Sequence, residues 1–577
     1  MKGEGKNRKY ITDGLGQFSI KCYHFISKRE LKTKDFFEKC SISKLNNFND
    51  GIVIATAKRM RRIDVTFKKS AEHTCIIEDE NNPASNYIET VLNILPHFKT
   101  KPSMLVVDST GDLFKKNYKS LTNAGYKVSV VGPCETQNSI CFNPFQAVLD
   151  RLDEIRKPME AFAGGYIVAG KKHKELVEAE AAKIIRLETL WNEIYDYLSD
   201  VINTIFSQEH EPDLEFDYIS NEIILKLALS IINNIILGKS KPKDLCLSNI
   251  YNILNNVENV DGVEALRKHI EEGSSLNIAR SSQRLINITG SEIKKQALKL
   301  SCFLVDFLSD GYITVDDEIK FSDFEDQPNV IFLTLSGSDV LKKTSSLFLT
   351  LAYRSLTDIA ESNSWQNLNE GFLVRPFYFI LNYLDKQNEL LRLEDMISNE
   401  QSFKIYFLLS INSLVRLREI YGEQKTQKIL ERINIKIIKS SLCLKSFLDN
   451  TTDVRCELDN TGSRSNFVSS SIEKFFNKNA NNALIMASNF NVIKSRFLQC
   501  LTAPNIGLSE DEAHKVSVAI CKVSEADKTT RLNEQMHIEG DCGISLLDDF
   551  DLLVKQLARQ TALHLTLIRE FFNKTNI

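Results

Sequence analysis

No two of the twelve cysteines stand as a C-x-x-C pair, and the nine histidines form no H-E-x-x-H or other metal-ligand spacing. These absences exclude a zinc module and a dithiol redox centre. A G-x-S-x-G nucleophile elbow and a Cys/His catalytic signature are also missing. G-x-x-x-x-G-K-[ST] occurs nowhere. Its nearest fragment, Gly238-Lys239-Ser240, has Asn233 in the first glycine's place and ends a helical pattern. The opening residues Met1 to Lys6 do not read as a signal peptide. Long uncharged apolar runs are lacking too. The most apolar window, Tyr218 to Leu237, holds Glu222, Lys226, Asn233 and Asn234, which a membrane span tolerates poorly, so it is expected to be a buried helix. There are no internal repeats and no low-complexity tract.

What is present is an ordinary globular composition over 577 residues, 43% hydrophobic and 26% charged, enough for several domains. The net charge of −4 argues against a basic clamp spread over the whole molecule. The charge is uneven, since residues 1–72 hold 17 Lys/Arg against 8 Asp/Glu. Lys58-Arg59-Met60-Arg61-Arg62 is the densest basic cluster. Lys58, Arg59, Arg61 and Arg62 suit DNA phosphates or lipid headgroups, although a solvated surface turn is the commoner meaning of so short a run. The cysteines, Cys75, Cys302 and Cys443 among them, read as small core residues in a reducing compartment.

Ser103 to Phe145 is the most informative stretch. Met104 to Val107 reads as a buried strand, Leu113 to Ala124 has helical spacing, and Tyr126 to Val131 is a second strand. Strand, helix and strand make a βαβ unit, which belongs in a parallel sheet covered by helices. Ligands in such sheets bind at the carboxyl ends of strands. Asp108 ends the first strand there and Gly111 lets the chain turn. Two readings of Asp108 stand side by side: a group placed for chemistry, or the cap of the following helix.

Further strands are expected at Gly51–Ala55, Ile63–Phe67, Thr74–Ile77, Asn329–Leu335, Phe377–Leu381, Lys404–Ser410 and Asn434–Lys439. Helices are expected at Ser85–Leu95 and Ser345–Glu361. The stretch between about 150 and 320 is helical in pattern, including Glu175–Phe206, Glu222–Leu237, Ile250–Val257 and Leu285–Leu308. The resulting divisions are a basic segment 1–72, the first part of an α/β domain 73–150, an all-helical insertion 151–322, the second α/β part 323–505 and a helical tail 506–577.

Asp108-Ser109-Thr110-Gly111-Asp112-Leu113, then Gly125-Tyr126-Lys127-Val128-Ser129-Val130, then Asn143-Pro144 resembles a segment of the TraG-type coupling proteins of type IV secretion and conjugative DNA transfer systems. Leu417-Arg418-Glu419-Ile420-Tyr421-Gly422 matches a further motif of that family. The resemblance implies a RecA-like, P-loop-NTPase-type parallel α/β sheet, an inserted all-helical domain, ATP with Mg²⁺ in active members, and a usually hexameric, membrane-attached assembly. It implies as partners secretion-channel proteins, a catalytic paralogue in a mixed ring, and DNA or a DNA–relaxase complex. This chain is then expected to be cytoplasmic or peripheral at the inner face of the cell membrane, with no transmembrane segment of its own.

The resemblance fails at the ATP site. After Thr74–Ile77, where the family has its phosphate loop, the chain reads Glu78-Asp79-Glu80-Asn81-Asn82-Pro83-Ala84-Ser85. Every loop glycine is gone, Ala84 stands where lysine is expected, and only Ser85 suits its metal-ligand place. Each nearby carboxylate opposes a phosphate by about 1 to 4 kcal/mol at roughly 4 Å. After Phe377–Leu381, Asn382 and Tyr383 replace the two acids that hold Mg²⁺ and activate water, leaving Asp385 farther along the loop. Gln401 and Phe403 replace arginines, and Asn412 replaces a glutamine. Ser85, Asp108, Gly111 and Asp385 thus mark a vestigial nucleotide site, and no catalytic residue or metal ligand is assigned. The expectation is a coupling-protein-like pseudo-ATPase that needs no cofactor. An active DNA-translocating ATPase and a stand-alone interaction protein are the alternatives.

Overall fold

The computed structural model describes residues 11–13, 16–18 and 21–25, and then 38–496. Outside the described residues within that range are 60–61, 70, 79–84, 133–139, 154–189, 206–213, 258–259, 276–289, 310–312, 314–318, 335–338, 366–371, 388, 391, 399–402, 451–453, 457–469, 479–481 and 488–490. The expected C-terminal helical tail and half of the expected Glu175–Phe206 helix therefore lie outside the described residues.

The described strands are β1 (Ile11–Asp13), β2 (Gly16–Phe18), β3 (Lys21–Phe25), β4 (Glu38–Ser41), β5 (Ile52–Arg59), β6 (Arg62–Lys68), β7 (Thr74–Ile77), β8 (Ser103–Val107), β9 (Lys127–Val131), β10 (Asn329–Leu333), β11 (Phe377–Leu381), β12 (Ile405–Ile411), β13 (Ile435–Ile438), β14 (Val454–Cys456), β15 (Asn482–Ala487) and β16 (Asn491–Arg496). Eleven of them form one sheet in the order β14-β3-β16-β15-β13-β7-β12-β11-β8-β10-β9. From β13 to β9 every pairing is parallel. This is the parallel α/β sheet expected from the sequence. Its strands are short apolar runs, and all residues of β7, β8, β11 and β12 are buried, as a sheet covered on both faces requires. β15 pairs antiparallel with β13 and with β16, adding a hairpin to the parallel edge.

One face of the sheet is covered by helices Ser85–Ile94 and Asp112–Asn123, whose Ile88, Val91, Leu92, Leu113 and Phe114 join Ile76, Met104, Val106 and Phe332 in a single core. The opposite face stacks aromatic rings. Phe377, Phe379 and Phe407 meet Phe324 and Tyr353, the latter from helix Asp339–Trp365, at centroid distances of 5.6 to 6.2 Å. Each such buried ring contributes about 1.5 to 3 kcal/mol. The N-terminal stretch, in which the sequence suggests two strands, forms a three-stranded antiparallel sheet, β4-β6-β5.

Contacts divide the described residues into two compact units, the first within Met1–Pro144, Asp200–Asp213 and Phe303–Arg531, the second within Phe145–Ser199, Leu214–Cys302 and Leu532–Ile577. The second is helical. Its helix Leu214–Ile236 contains the one window among the described residues long and apolar enough to cross a membrane, Ile219–Ile236, and 61% of that window is buried within the fold. Lys226 lies in it at 1% exposure, its ammonium 3.9 Å from Glu222. One turn on, Ser230 Oγ sits 2.9 Å from His269 Nδ1 and donates to Glu272 Oε2 at 3.0 Å, tying this helix to Val260–Ser275. Cys75 and Cys443 are buried as expected, but Cys302 is exposed. Helix Gly290–Ser309 buries Ile293, Ala297, Leu300 and Leu304, and Cys302 falls off that stripe.

His73 leads into β7. Its Nδ1 accepts the Phe407 N–H at 3.1 Å, so the ring is held neutral, and burial pulls its pKa down from 6.5 to about 4. The unfolded chain takes up this proton first as pH falls, so the stability contribution is complete above about pH 6.5 and is lost on acidification toward pH 4. Between pH 7.5 and pH 5 this residue alone is expected to remove about 2 kcal/mol. Urea unfolding of the wild type and of His73→Gln at both pH values checks it. Equal slopes with pH in the two proteins would refute the assignment.

Candidate functional site

Helices follow β7 and β8 on one face, whereas helix Asp339–Trp365, which follows β10, packs on the other. Leu393–Ser398, which follows β11, joins that second layer through Tyr353 Oη, which donates to the Met396 carbonyl at 3.4 Å. Since β8 lies between β11 and β10, chain segments diverge from the carboxyl ends of neighbouring strands, the place where open α/β sheets bind ligands. The sequence-derived residues Asp108, Gly111 and Asp385 all lie along this edge.

Asp108 follows β8 directly and is buried. Its Oδ2 accepts the Phe114 N–H at 2.8 Å, and its carbonyl accepts the Gly111 N–H at 3.1 Å. Burial pushes its carboxyl pKa up, against the opposing pull of the Phe114, Leu113 and Gly111 amides. Of the two readings of Asp108, the geometry is that of the cap: the side chain serves the start of helix Asp112–Asn123. Gly111 makes the turn at φ 72°, a left-handed angle that glycine adopts without a Cβ penalty.

Asp385 lies in the short turn Leu384–Lys386 after β11 and is also buried. Oδ1 accepts the Asn412 N–H at 2.9 Å and Oδ2 the Ser413 N–H at 3.2 Å. Those amides end β12 and open helix Leu414–Arg432, which Ser413 caps by accepting the Arg416 N–H at 3.3 Å. Burial raises the Asp385 pKa, and the Asn412 and Ser413 amides oppose the rise. Before it, Asn382 and Tyr383 are built into the strand ends. Ser410 Oγ donates to Asn382 Oδ1 at 3.0 Å and accepts the Tyr383 N–H at 2.7 Å. Tyr383 takes a left-handed φ of 56°, which an aromatic residue adopts at a cost.

Ser85 opens helix Ser85–Ile94, and residues 79–84 before it lie outside the described residues. Lys58 and Arg59 end β5, Arg62 opens β6, and Arg61 lies outside the described residues. The structure thus brings Asp108 and Asp385 to the ends of adjacent strands, with each acid turned to its own neighbouring loop, and leaves the basic cluster on a separate sheet.

Two residues escaped the sequence-derived set. Glu78 immediately follows β7, and Lys439 immediately follows β13. The Glu78 N–H donates to the Ile411 carbonyl at 3.0 Å and the Lys439 N–H to the Ile77 carbonyl at 3.1 Å, so Asn412, Glu78 and Lys439 form a row across three strands. Glu78 is 2% exposed, and burial pushes its pKa up to about 8 while Lys439 pulls the other way. Burial in turn lowers Lys439. Burial thus favours the neutral form of Glu78, and Lys439 opposes it. A charged residue abutting an apolar run of four was the available signal for both.

Among the described residues few of the groups that ATP with Mg²⁺ needs are open, and residues 79–84, where the phosphate loop is expected, lie outside them. A phosphate needs free amides at a helix start, a cation and an acid for the metal. Here Asp385 and Asp108 occupy amides at two helix starts, and the acid's place just after β11 is an asparagine bonded to Ser410. Among the described residues no group of three His, Cys, Asp or Glu is placed to hold a metal ion.

Residues 306–442 match the family model of the type IV secretion-system coupling protein DNA-binding domain. That span includes β10 to β13 and therefore Asn382, Asp385 and Asn412. Among solved structures, the plasmid coupling protein TrwB in complex with ADP and Mg²⁺ is 12% identical, with 75% of this chain and 88% of that chain covered and a TM-score of 0.48. The bacterial conjugative coupling protein TrwBdeltaN70 with sulphate is 13% identical, covers 85% and 99%, and also scores 0.48. VirB4 of Thermoanaerobacter pseudethanolicus is 9% identical, covers 80% and 99%, and scores 0.43. No curated protein matches.

Proposed function

We propose that this chain, a type IV coupling-protein relative over residues 306–442, serves a secretion or conjugative transfer apparatus by binding its partners without hydrolysing ATP. The observation that carries the reading is the Asp385 carboxylate on the Asn412 and Ser413 amides. An internal anion holds these two amides at the strand-end edge, so they are not open to an external phosphate. The sheet then works as a scaffold whose loops dock other components. The partners are secretion-channel proteins or a catalytic paralogue in a mixed ring, with DNA or a DNA–relaxase complex as cargo, at the inner face of the membrane.

Calorimetric titration with ATP and Mg²⁺ is expected to give no saturable heat, and phosphate release is expected to equal that of buffer. Micromolar binding, or turnover abolished by Ser85→Ala, would overturn the proposal in favour of an active ATPase.

A further inference from the structure

We propose that a small cavity at the carboxyl ends of β8 and β11 is the binding site of a single internal water molecule, held by Ser345, that bridges helix Asp339–Trp365 to the turn after β11.

Val107 and Leu381, the last residues of β8 and β11, form the cavity wall with three leucines, Leu349 among them. Ser345, Ser346 and Gln387 supply its polar part. The free space is about 10 Å³, and one water needs about 10 to 15 Å³. A nucleotide or any drug-sized ligand is far larger. None of the lining side chains carries a charge, so the wall matches neither a phosphate nor a metal ion.

Ser345 creates the demand for a partner. It is 3% exposed, and its Oγ meets no hydrogen-bond partner among the described residues. A serine or threonine inside a helix can bond the carbonyl four residues back. Thr350 does so with the Ser346 carbonyl at 2.9 Å, but Ser345 on the same helix does not. A buried hydroxyl without a partner costs free energy, and a water beside it removes that cost.

Two neighbours can hold the same water. Ser346 Oγ gives its one proton to the Glu389 carbonyl at 2.9 Å and keeps lone pairs with which to accept. Gln387 turns Nε2 toward the Asn382 carbonyl at 3.5 Å, which leaves Oε1 as an acceptor. One donor and two acceptors suit the three hydrogen bonds that a buried water usually makes. The two serines belong to the helix that follows β10, and Gln387 follows the turn Leu384–Lys386. The Asp385 carboxylate fixes that turn to Asn412 and Ser413. The water thus extends the Asp385 tie from the end of β12 to the covering helix.

Oxygen-17 relaxation dispersion of the solvent counts long-lived internal waters in the full chain. Ser345→Ala removes the hydroxyl without adding bulk, and alanine is the best helix former, so the helix is kept. This variant is expected to hold one long-lived water fewer than wild type. The control Ser301→Ala, which removes a buried hydroxyl already bonded to the Leu298 carbonyl at 2.9 Å, is expected to hold the same number as wild type. A crystal structure of the wild-type chain, which needs no variant, is expected to show an ordered oxygen about 2.5 to 3.0 Å from Ser345 Oγ. Equal counts in wild type and Ser345→Ala, an equal loss in the control, or a Ser345 hydroxyl bonded to a protein atom instead would each overturn the assignment. None of these outcomes bears on whether ATP binds, so this proposal and the preceding one fail separately.

Discussion

Gly132→Ala is expected to destabilise the first unit by on the order of 4 kcal/mol. Gly132 leaves β9 at φ 128°, where residues with a Cβ are strained. Space is the larger problem. A Cβ at this position would lie 2.2 Å from the Thr334 carbonyl oxygen and 2.8 Å from its carbon. Those are backbone atoms, and Thr334 is itself held by its N–H bond to the Val131 carbonyl at 2.9 Å. Relief therefore requires β9 and β10 to separate where they are paired in register at Val131 and Leu333. Urea unfolding followed by circular dichroism measures the loss. A shift smaller than about 1 kcal/mol would mean that the two strand ends do not approach as described.

Asp385→Ala is expected to cost about 3 to 5 kcal/mol. Two amide hydrogen bonds to a carboxylate are worth about 1.5 to 3 kcal/mol each, and their removal strands the Asn412 and Ser413 N–H groups beside a buried turn. Asp385→Asn keeps one acceptor oxygen and is expected to lose about half as much. Hydrogen exchange at Asn412 and Ser413 should accelerate in the same order, Ala above Asn above wild type. If the alanine variant is as stable as the wild type, the carboxylate is not the tie between β11 and β12, and the reading of this edge as self-occupied fails with it.

The parallel strands were legible because burial on both faces writes them as unbroken apolar runs, as in Phe377–Leu381 and Thr74–Ile77. Helix Asp112–Asn123 was legible from its spacing and from Gly111 before it. β4 was not, since Glu38-Lys39-Cys40-Ser41 is short and charged, as edge strands are. The β15–β16 hairpin was missed as well, because polar Asn482 and Lys494 interrupt its apolar pattern. For the site, the sequence placed Asp108 and Asp385 at strand ends but did not decide their use. A carboxylate that caps its own helix and one that awaits a metal are the same letter. The Asp385 partners come 27 and 28 positions later, beyond any local pattern.

The partnership of β9 with β10 has a consequence for how the chain is made. The two are hydrogen-bonded neighbours, yet residues 132–328 separate them along the polypeptide. β8 likewise waits for β10 and β11 on its two sides. A ribosome therefore releases the whole helical insertion before the early strands acquire either neighbour, and their apolar edges stay open for that time. Such distant pairings form slowly and expose the nascent product to misassociation. The yield of native protein should accordingly depend on chaperone holding during synthesis far more than on the final stability of the sheet.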